Sequence, residues 1–314
     1  MKLSVSILAA CTFLTTFANA GDLHVFTSDA PGFNTHSVWY DDGQEVTVVD
    51  AQFTLAAAQA LLADIKQKSK SPVTRIVVTH PNSDKFNGLS VFHAEGAESI
   101  ASEKTARDIP GADAYKRYFW INIAKAFTEE TYPKVEPITA TYSGEKVITL
   151  KSGETITLIE LPHPGISTNQ TVVRIDQSGD LIVGDLVHAN NHAWLEGGIV
   201  EGKPVAAIDG WKADLAELPK LGRGKVYGGR GDFLPVDEAV AQQTAYLDKA
   251  DEIVERYVEA LGDRASELSD STKQAAHYAA IQAEFVRAFP DYAFPDLVGY
   301  SVYGLVQQKL DKRS

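Results

Sequence analysis

A chain of 314 residues with 44% apolar side chains can bury one large core, or a core with an appendage. Its 29 basic and 42 acidic residues leave a formal charge of −13, which weighs against nucleic acid or an anionic membrane surface as partner. A single cysteine, Cys11, leaves no intrachain disulfide and no cluster of thiolate metal ligands.

Residues 1–20 read as a secretory leader. Lys2 precedes an apolar run from Leu3 to Phe17, and Ala18-Asn19-Ala20 supplies a small-residue cleavage site before Gly21. Cleavage there implies a periplasmic or secreted protein. It removes Lys2 and no acid, so 28 basic residues against 42 acidic give −14, and Cys11 leaves with the leader. A lipobox at Leu8-Ala9-Ala10-Cys11 is the alternative, but it leaves only a stub of apolar residues upstream. After Phe17 no stretch has the continuous apolar length of a bilayer span.

From Leu23 to Asp50, short alternating runs separated by Asp, Gly and Asn predict an antiparallel meander. The period then changes. Leu55, Ala58, Leu61, Leu62 and Ile65 recur at helical spacing over Thr54 to Lys68, and Arg75 to Thr79 reads as a buried strand. A second helix is predicted over about 112–127, with Trp120, Ile123, Ala124 and Phe127 on a core face. A β meander follows over 138–161, then strands at 171–175 and 180–183, a helix at 210–218 and a strand at 225–227. After Pro235 the composition turns to Ala, Gln and Glu, predicting helices over 236–261, 269–289 and 296–310. The expected organisation is therefore a leader (1–20), an α/β domain (21–235) and an all-helical extension (236–314), the last a lid or a homodimer surface.

The most informative stretch is Thr79-His80-Pro81-Asn82-Ser83-Asp84-Lys85-Phe86-Asn87-Gly88, because it emerges from the C-terminal end of a buried strand, where α/β folds place their sites. Its spacing resembles the His-x-His-x-Asp-His signature of the metallo-β-lactamase superfamily. Further resemblances follow in chain order: Asp50 ending a strand, Pro162-His163-Pro164-Gly165, Gly184-Asp185 after Leu181-Ile182-Val183, and Gly228-Gly229-Arg230-Gly231 in place of a Gly-His-Gly. The similarity runs from about residue 23 to 235 and implies a four-layer αββα sandwich.

Carried over position by position, the family's binuclear pattern keeps His80, Asp84, His163 and Asp185, while Asn82, Lys85 and Arg230 replace three imidazoles. Protonated lysine and arginine cannot ligate a metal, and an amide oxygen is a poor zinc donor. The expectation is a centre in which organic cations neutralise the carboxylates, leaving a cleft for a small molecule or a partner, bounded by Asn82, Lys85, His188, His192, Trp194 and Arg230. No cofactor is expected. The alternative is a mononuclear hydrolase of esters or lactones, with one zinc ion on His80, His163 and Asp185 and with Asp84 orienting or deprotonating the water.

Overall fold

The computed structural model describes residues 21–313, so the expected leader and Cys11 lie outside the described residues. The chain opens with the antiparallel strands β1 (Asp22–Thr27), β2 (His36–Asp41) and β3 (Val46–Val49). Helix α1 (Leu55–Lys68) starts where the Thr54 side chain accepts from the Ala57 amide. It buries Ala58, Leu61 and Ile65, and ends with Lys66 and Lys68 against the negative pole of its dipole. It is the crossover to β4 (Val73–Val77), which runs parallel to β3. Two short helices, α2 (Ser83–Phe86) and α3 (Leu89–His93), lead to β5 (Glu98–Ser102). Helix α4 (Glu103–Tyr118) then leads to β6 (Ala140–Tyr142), which closes the first sheet in the order β1-β2-β3-β4-β5-β6.

The second sheet has the order β14-β13-β10-β9-β8-β7. Its strands are β7 (Glu145–Thr149), β8 (Thr155–Glu160), β9 (Thr171–Ile175), β10 (Asp180–Ala189), β13 (Lys225–Gly231) and β14 (Leu234–Pro235). Between β10 and β13 come a small hairpin, β11 (Gly198–Val200) with β12 (Lys203–Val205), and the helices α5 (Ile208–Leu215) and α6 (Leu218–Leu221). The helical extension is α7 (Val236–Leu261), α8 (Gln274–Ala288) and α9 (Asp296–Asp311).

Three apolar clusters make the layers. Val38, Val49, Val77 and Ile100 of the first sheet meet Leu158, Val173 and Ile182 of the second. On the outer side of the first sheet, Trp39, Val48 and Ile76 pack under Leu61, Ile65 and Phe92. On the outer side of the second sheet, Leu186 and Val226 share a core with Trp211, Leu247, Phe285 and Leu305. Helix, sheet, sheet, helix is the αββα arrangement that the sequence predicts.

Several boundaries differ from expectation for identifiable reasons. Helix α4 begins at Glu103 rather than near 112, because Ser102 caps the Thr105 amide and Pro110 sits inside the helix without ending it. It continues into a single π-helical turn, Phe119–Ile123, of the kind that often marks functional sites. Strand β5 is absent from the sequence reading because Glu98-Ser99-Ile100-Ala101-Ser102 has few strand-forming residues. Strand β6 joins the first sheet, so the predicted meander over 138–161 is divided between two sheets. Strand β10 runs six residues past the predicted end at 183, and α8 starts at Gln274 after a 3-10 stretch, Gly262–Ser269.

The extension completes the core of the domain. Tyr246, Leu247, Ile253 and Val254 of α7, Phe285 of α8, and Val302 and Leu305 of α9 are all essentially inaccessible within the third cluster. A chain ending at Pro235 is therefore expected to expose the outer face of the second sheet and aggregate. Size-exclusion chromatography checks this; a soluble monomer with cooperative unfolding would show that the first 235 residues suffice. Among the described residues no helix is long and apolar enough to cross a membrane.

Candidate functional site

The C-terminal ends of β3, β4, β10 and β13 deliver polar side chains to one buried locus. Asp50 follows β3 with a left-handed φ of 69°, and its backbone amide donates to Val77 O. Its carboxylate accepts from the Thr79 amide and hydroxyl, each at 2.9 Å, which fixes the loop carrying His80. Asn82 then serves as the cap of α2, its Oδ1 accepting from the Ser83 amide at 3.1 Å, and the helix places Asp84 and Lys85 in its first turn. Asp185 lies within β10. Beside it Gly229 of β13 has room for nothing larger than hydrogen, since a Cβ there would sit 1.9 Å from Asp185 Oδ1.

Lys85 is fully buried and stands between the acids. Its Nζ lies 2.7 Å from Asp185 Oδ1, 2.9 Å from Asp84 Oδ2 and 3.9 Å from Asp50 Oδ2. Arg230 reaches the same two carboxylates from the other side, with Nη1 at 3.2 Å from Asp185 Oδ1 and Nη2 at 3.2 Å from Asp84 Oδ2. Its remaining donors go to Thr35 Oγ1 at 2.8 Å and Phe33 O at 2.9 Å. Burial opposes the Lys85 charge, but the surrounding carboxylates override it and raise the ammonium above its ordinary range. Burial likewise pushes Asp84 and Asp185 upward, but Lys85 and Arg230 together with the neighbouring groups outweigh it, so both stay ionised, Asp185 well below the usual carboxylate range. Asp50 goes the other way: desolvation lifts it to about 7 against Lys85 and Thr79.

The histidines divide. His80 is fully buried, with Nδ1 at 3.0 Å from Thr79 Oγ1 and Nε2 at 3.7 Å from Asp185 Oδ2; desolvation lowers it to about 4. His188 approaches Asp185 Oδ1 at 3.9 Å through Nε2, has no hydrogen-bond partner on either ring nitrogen, and is lowered by burial to about 3. His192 is elsewhere. Its ring is boxed by Tyr246, Phe285, Phe289 and Tyr292, with centroids 5.9 to 6.3 Å away, and Nδ1 is 3.2 Å from the Tyr246 hydroxyl. His163 is exposed, and its backbone amide donates to Asp214 at 3.1 Å. The expected set of His80, His163 and Asp185 is therefore not assembled, because the Pro162-His163-Pro164 turn puts His163 on the surface.

Above the ion network lies a cleft walled by Phe33, Phe53, Trp120 and Trp194. Asp84, Asp185 and Arg230 form its floor, and Asn82, Ser83 and Lys116 complete it. It is a narrow slot of about 320 Å³, a volume that includes the solvent at its mouth. Phe33, Phe53 and Trp120 touch one another, with ring centroids 5.2 to 5.4 Å apart. Trp194 is held through its indole N–H, which donates to Glu196 Oε2 at 2.9 Å. Lys116 closes the buried ion pair with that carboxylate and lies 4.5 Å above the Trp194 ring. The extension fixes this wall. Leu195 N donates to Ser301 Oγ at 2.9 Å, His192 N donates to Ala293 O at 3.1 Å, and Gly304 packs so closely that a Cβ would lie 2.1 Å from Glu196 O.

Lys85, Arg230, Asp84, Asp185, His80 and His188 thus come together, Asn82 and Trp194 border them, and His163 and His192 do not join. Phe33, Thr35, Phe53, Thr79, Lys116 and Glu196 are members that sequence reasoning missed, and Trp120, expected as core, also walls the cleft. Among the described residues no three His, Cys, Asp or Glu side chains converge as a metal-binding group. A second metal does not fit this donor set, because two fixed cations already engage both carboxylates that would ligate it, and a dication beside them would be strongly repelled.

The family model described as the metallo-beta-lactamase superfamily matches residues 30–235. Among solved structures, a metallo-beta-lactamase from Pontibacter korlensis superposes with a TM-score of 0.55 at 19% identity, covering 74% of this chain and 97% of that one. The DIM-1 metallo-beta-lactamase, in a crystal exposed to ceftazidime, gives a TM-score of 0.51 at 19% identity, covering 73% of this chain and 92% of that one. At such identities the likeness speaks for the fold.

Proposed function

The chain belongs to the metallo-beta-lactamase superfamily, and from that premise we propose an exported binding protein in which side-chain cations have replaced the binuclear centre. Its aromatic cleft holds a small molecule and does not perform zinc-dependent hydrolysis. The observation that carries this reading is the position of Lys85 Nζ, 2.7 Å and 2.9 Å from Asp185 and Asp84. An ammonium and a guanidinium already balance the charge of these two carboxylates, which leaves little to hold a Lewis acid, and neither cation can shed its proton cheaply when paired.

Protein purified without chelator and analysed for metals is expected to carry no stoichiometric zinc, and to keep the same thermal midpoint in the presence of EDTA. A full equivalent of zinc that is lost with chelator, together with an esterase activity that disappears with it, would overturn the proposal. The triple replacement Asn82→His, Lys85→His and Arg230→His serves as the positive control, expected to gain zinc affinity.

A further inference from the structure

Two acceptors face each other with no donor between them, one on Asp185 at the floor of the cleft and one on His80 buried behind it. Thr79 Oγ1 lies 2.9 Å from both Asp50 oxygens and donates its single hydrogen there, so it accepts from His80 Nδ1 at 3.0 Å. The imidazole proton therefore resides on Nδ1, and Nε2 is a bare lone pair. That lone pair is 3.7 Å from Asp185 Oδ2, and neither atom has a hydrogen-bond partner although both side chains are fully buried. Two buried acceptors left facing each other are costly, and a hydrogen-bond donor or a cation that engages Asp185 Oδ2 lowers that cost.

Asp185 also lines the cleft, together with Trp120 and Trp194. On the reading of this cleft as a metal-free binding site, we propose that its ligand is a small planar aromatic molecule bearing an amino, ammonium or amidinium group. The nitrogen hydrogens reach Asp185, the member of the pair that lines the cleft, and supply the donor its Oδ2 lacks, and the ring is held by the tryptophan and phenylalanine walls. Three features agree on the sign of the ligand. The buried cluster has three carboxyl groups, Asp50, Asp84 and Asp185, against two fixed cations, Lys85 and Arg230, and Asp50, lifted to about 7, supplies the surplus negative charge in its ionised form. Lys116, the other cation at the cleft, is paired with Glu196. Aromatic faces attract cations, and the chain's charge of −13 draws them from solution. The narrowness of the slot means that the tryptophan walls must part on entry, which makes their fluorescence the readout.

The test titrates the full-length mature protein with benzamidine, following tryptophan fluorescence and binding heat, with benzoate as the anionic counterpart and benzyl alcohol as the neutral one. Benzamidine is expected to bind at least tenfold more tightly than either, a difference of about 1.4 kcal/mol. Trp120→Leu is expected to weaken benzamidine about tenfold while its melting curve stays cooperative. Equal binding of all three probes, tighter binding of benzoate, or silence from benzamidine overturns the inference. Failure here with no zinc in the purified protein sinks only the ligand class; zinc with hydrolysis sinks the parent reading.

Discussion

Lys85→Met is expected to lower the unfolding free energy by about 3–5 kcal/mol, the cost of removing one partner from a buried ionic cluster. Methionine fills the space of the lysine stem, so the loss reports charge and hydrogen bonding rather than a cavity. Without the ammonium, Asp185 and Asp84 keep Arg230, at 3.2 Å from each, as the fixed cation between them, and burial then favours their protonated forms. Adding Asp84→Asn removes one of the two stranded charges and is expected to recover part of the loss. Urea unfolding of the wild type, the single and the double variant measures both effects. A single variant that loses less than about 1 kcal/mol would show that the network is no more than a surface-like ion pair.

Acid is expected to be the second large perturbation. Burial holds His36, His80 and His192 down to about 4 and His188 to about 3, all from an ordinary 6.5. A depressed histidine contributes its full stability above 6.5 and loses it as pH falls through its folded value, because the unfolded chain takes up the proton first. Asp50, lifted to about 7, and Asp214, lifted to about 6, act in the opposite sense: their contributions are complete below 3.8 and fade as pH rises through those values. Four histidines against two carboxyls leave a net loss on acidification from about 6.5 to about 4, on the order of 1.4 kcal/mol per pKa unit for each group. Below that window Asp84 and Asp185, held low by Lys85, begin to lose theirs as well. Unfolding free energies measured across this range should fall steadily toward acid. A maximum near the acid end would mean that the buried imidazoles have partners able to receive the added charge.

The ion network was readable from the sequence because each member lies in or just after a strand with a local signature. The run Thr74 to Val78 announces His80, Asp84 and Lys85, Leu181 to Gly184 announces Asp185, and the glycines around residue 229 announce Arg230. What joins these segments was less readable. Thr35, which binds both Asp84 and Arg230, is separated from Arg230 by 195 positions and carries no motif. Phe33, Phe53 and Trp120 come from three separate connections, and apolar periodicity alone assigns such residues to a core. His163 had the right neighbours in sequence, but an imidazole's direction depends on a Pro-His-Pro turn whose dihedrals no local pattern specifies. In the extension the helical period predicted α7 to the residue, since a 26-residue amphipathic run leaves little room for another reading.

The loop bearing Trp194 has one further consequence, for folding order. The hydrogen bond from Leu195 to Ser301 spans 106 positions, and the Gly304 contact with Glu196 reaches equally far. Contacts of that separation form after local ones, because closing a long loop costs entropy before it returns any enthalpy. The ionic centre rests on contacts of similar or greater reach, Lys85 to Asp185 over 100 positions and Arg230 to Thr35 over 195, so the floor of the slot and its Trp194 wall are expected to close together, and binding competence arrives only with the last step of folding.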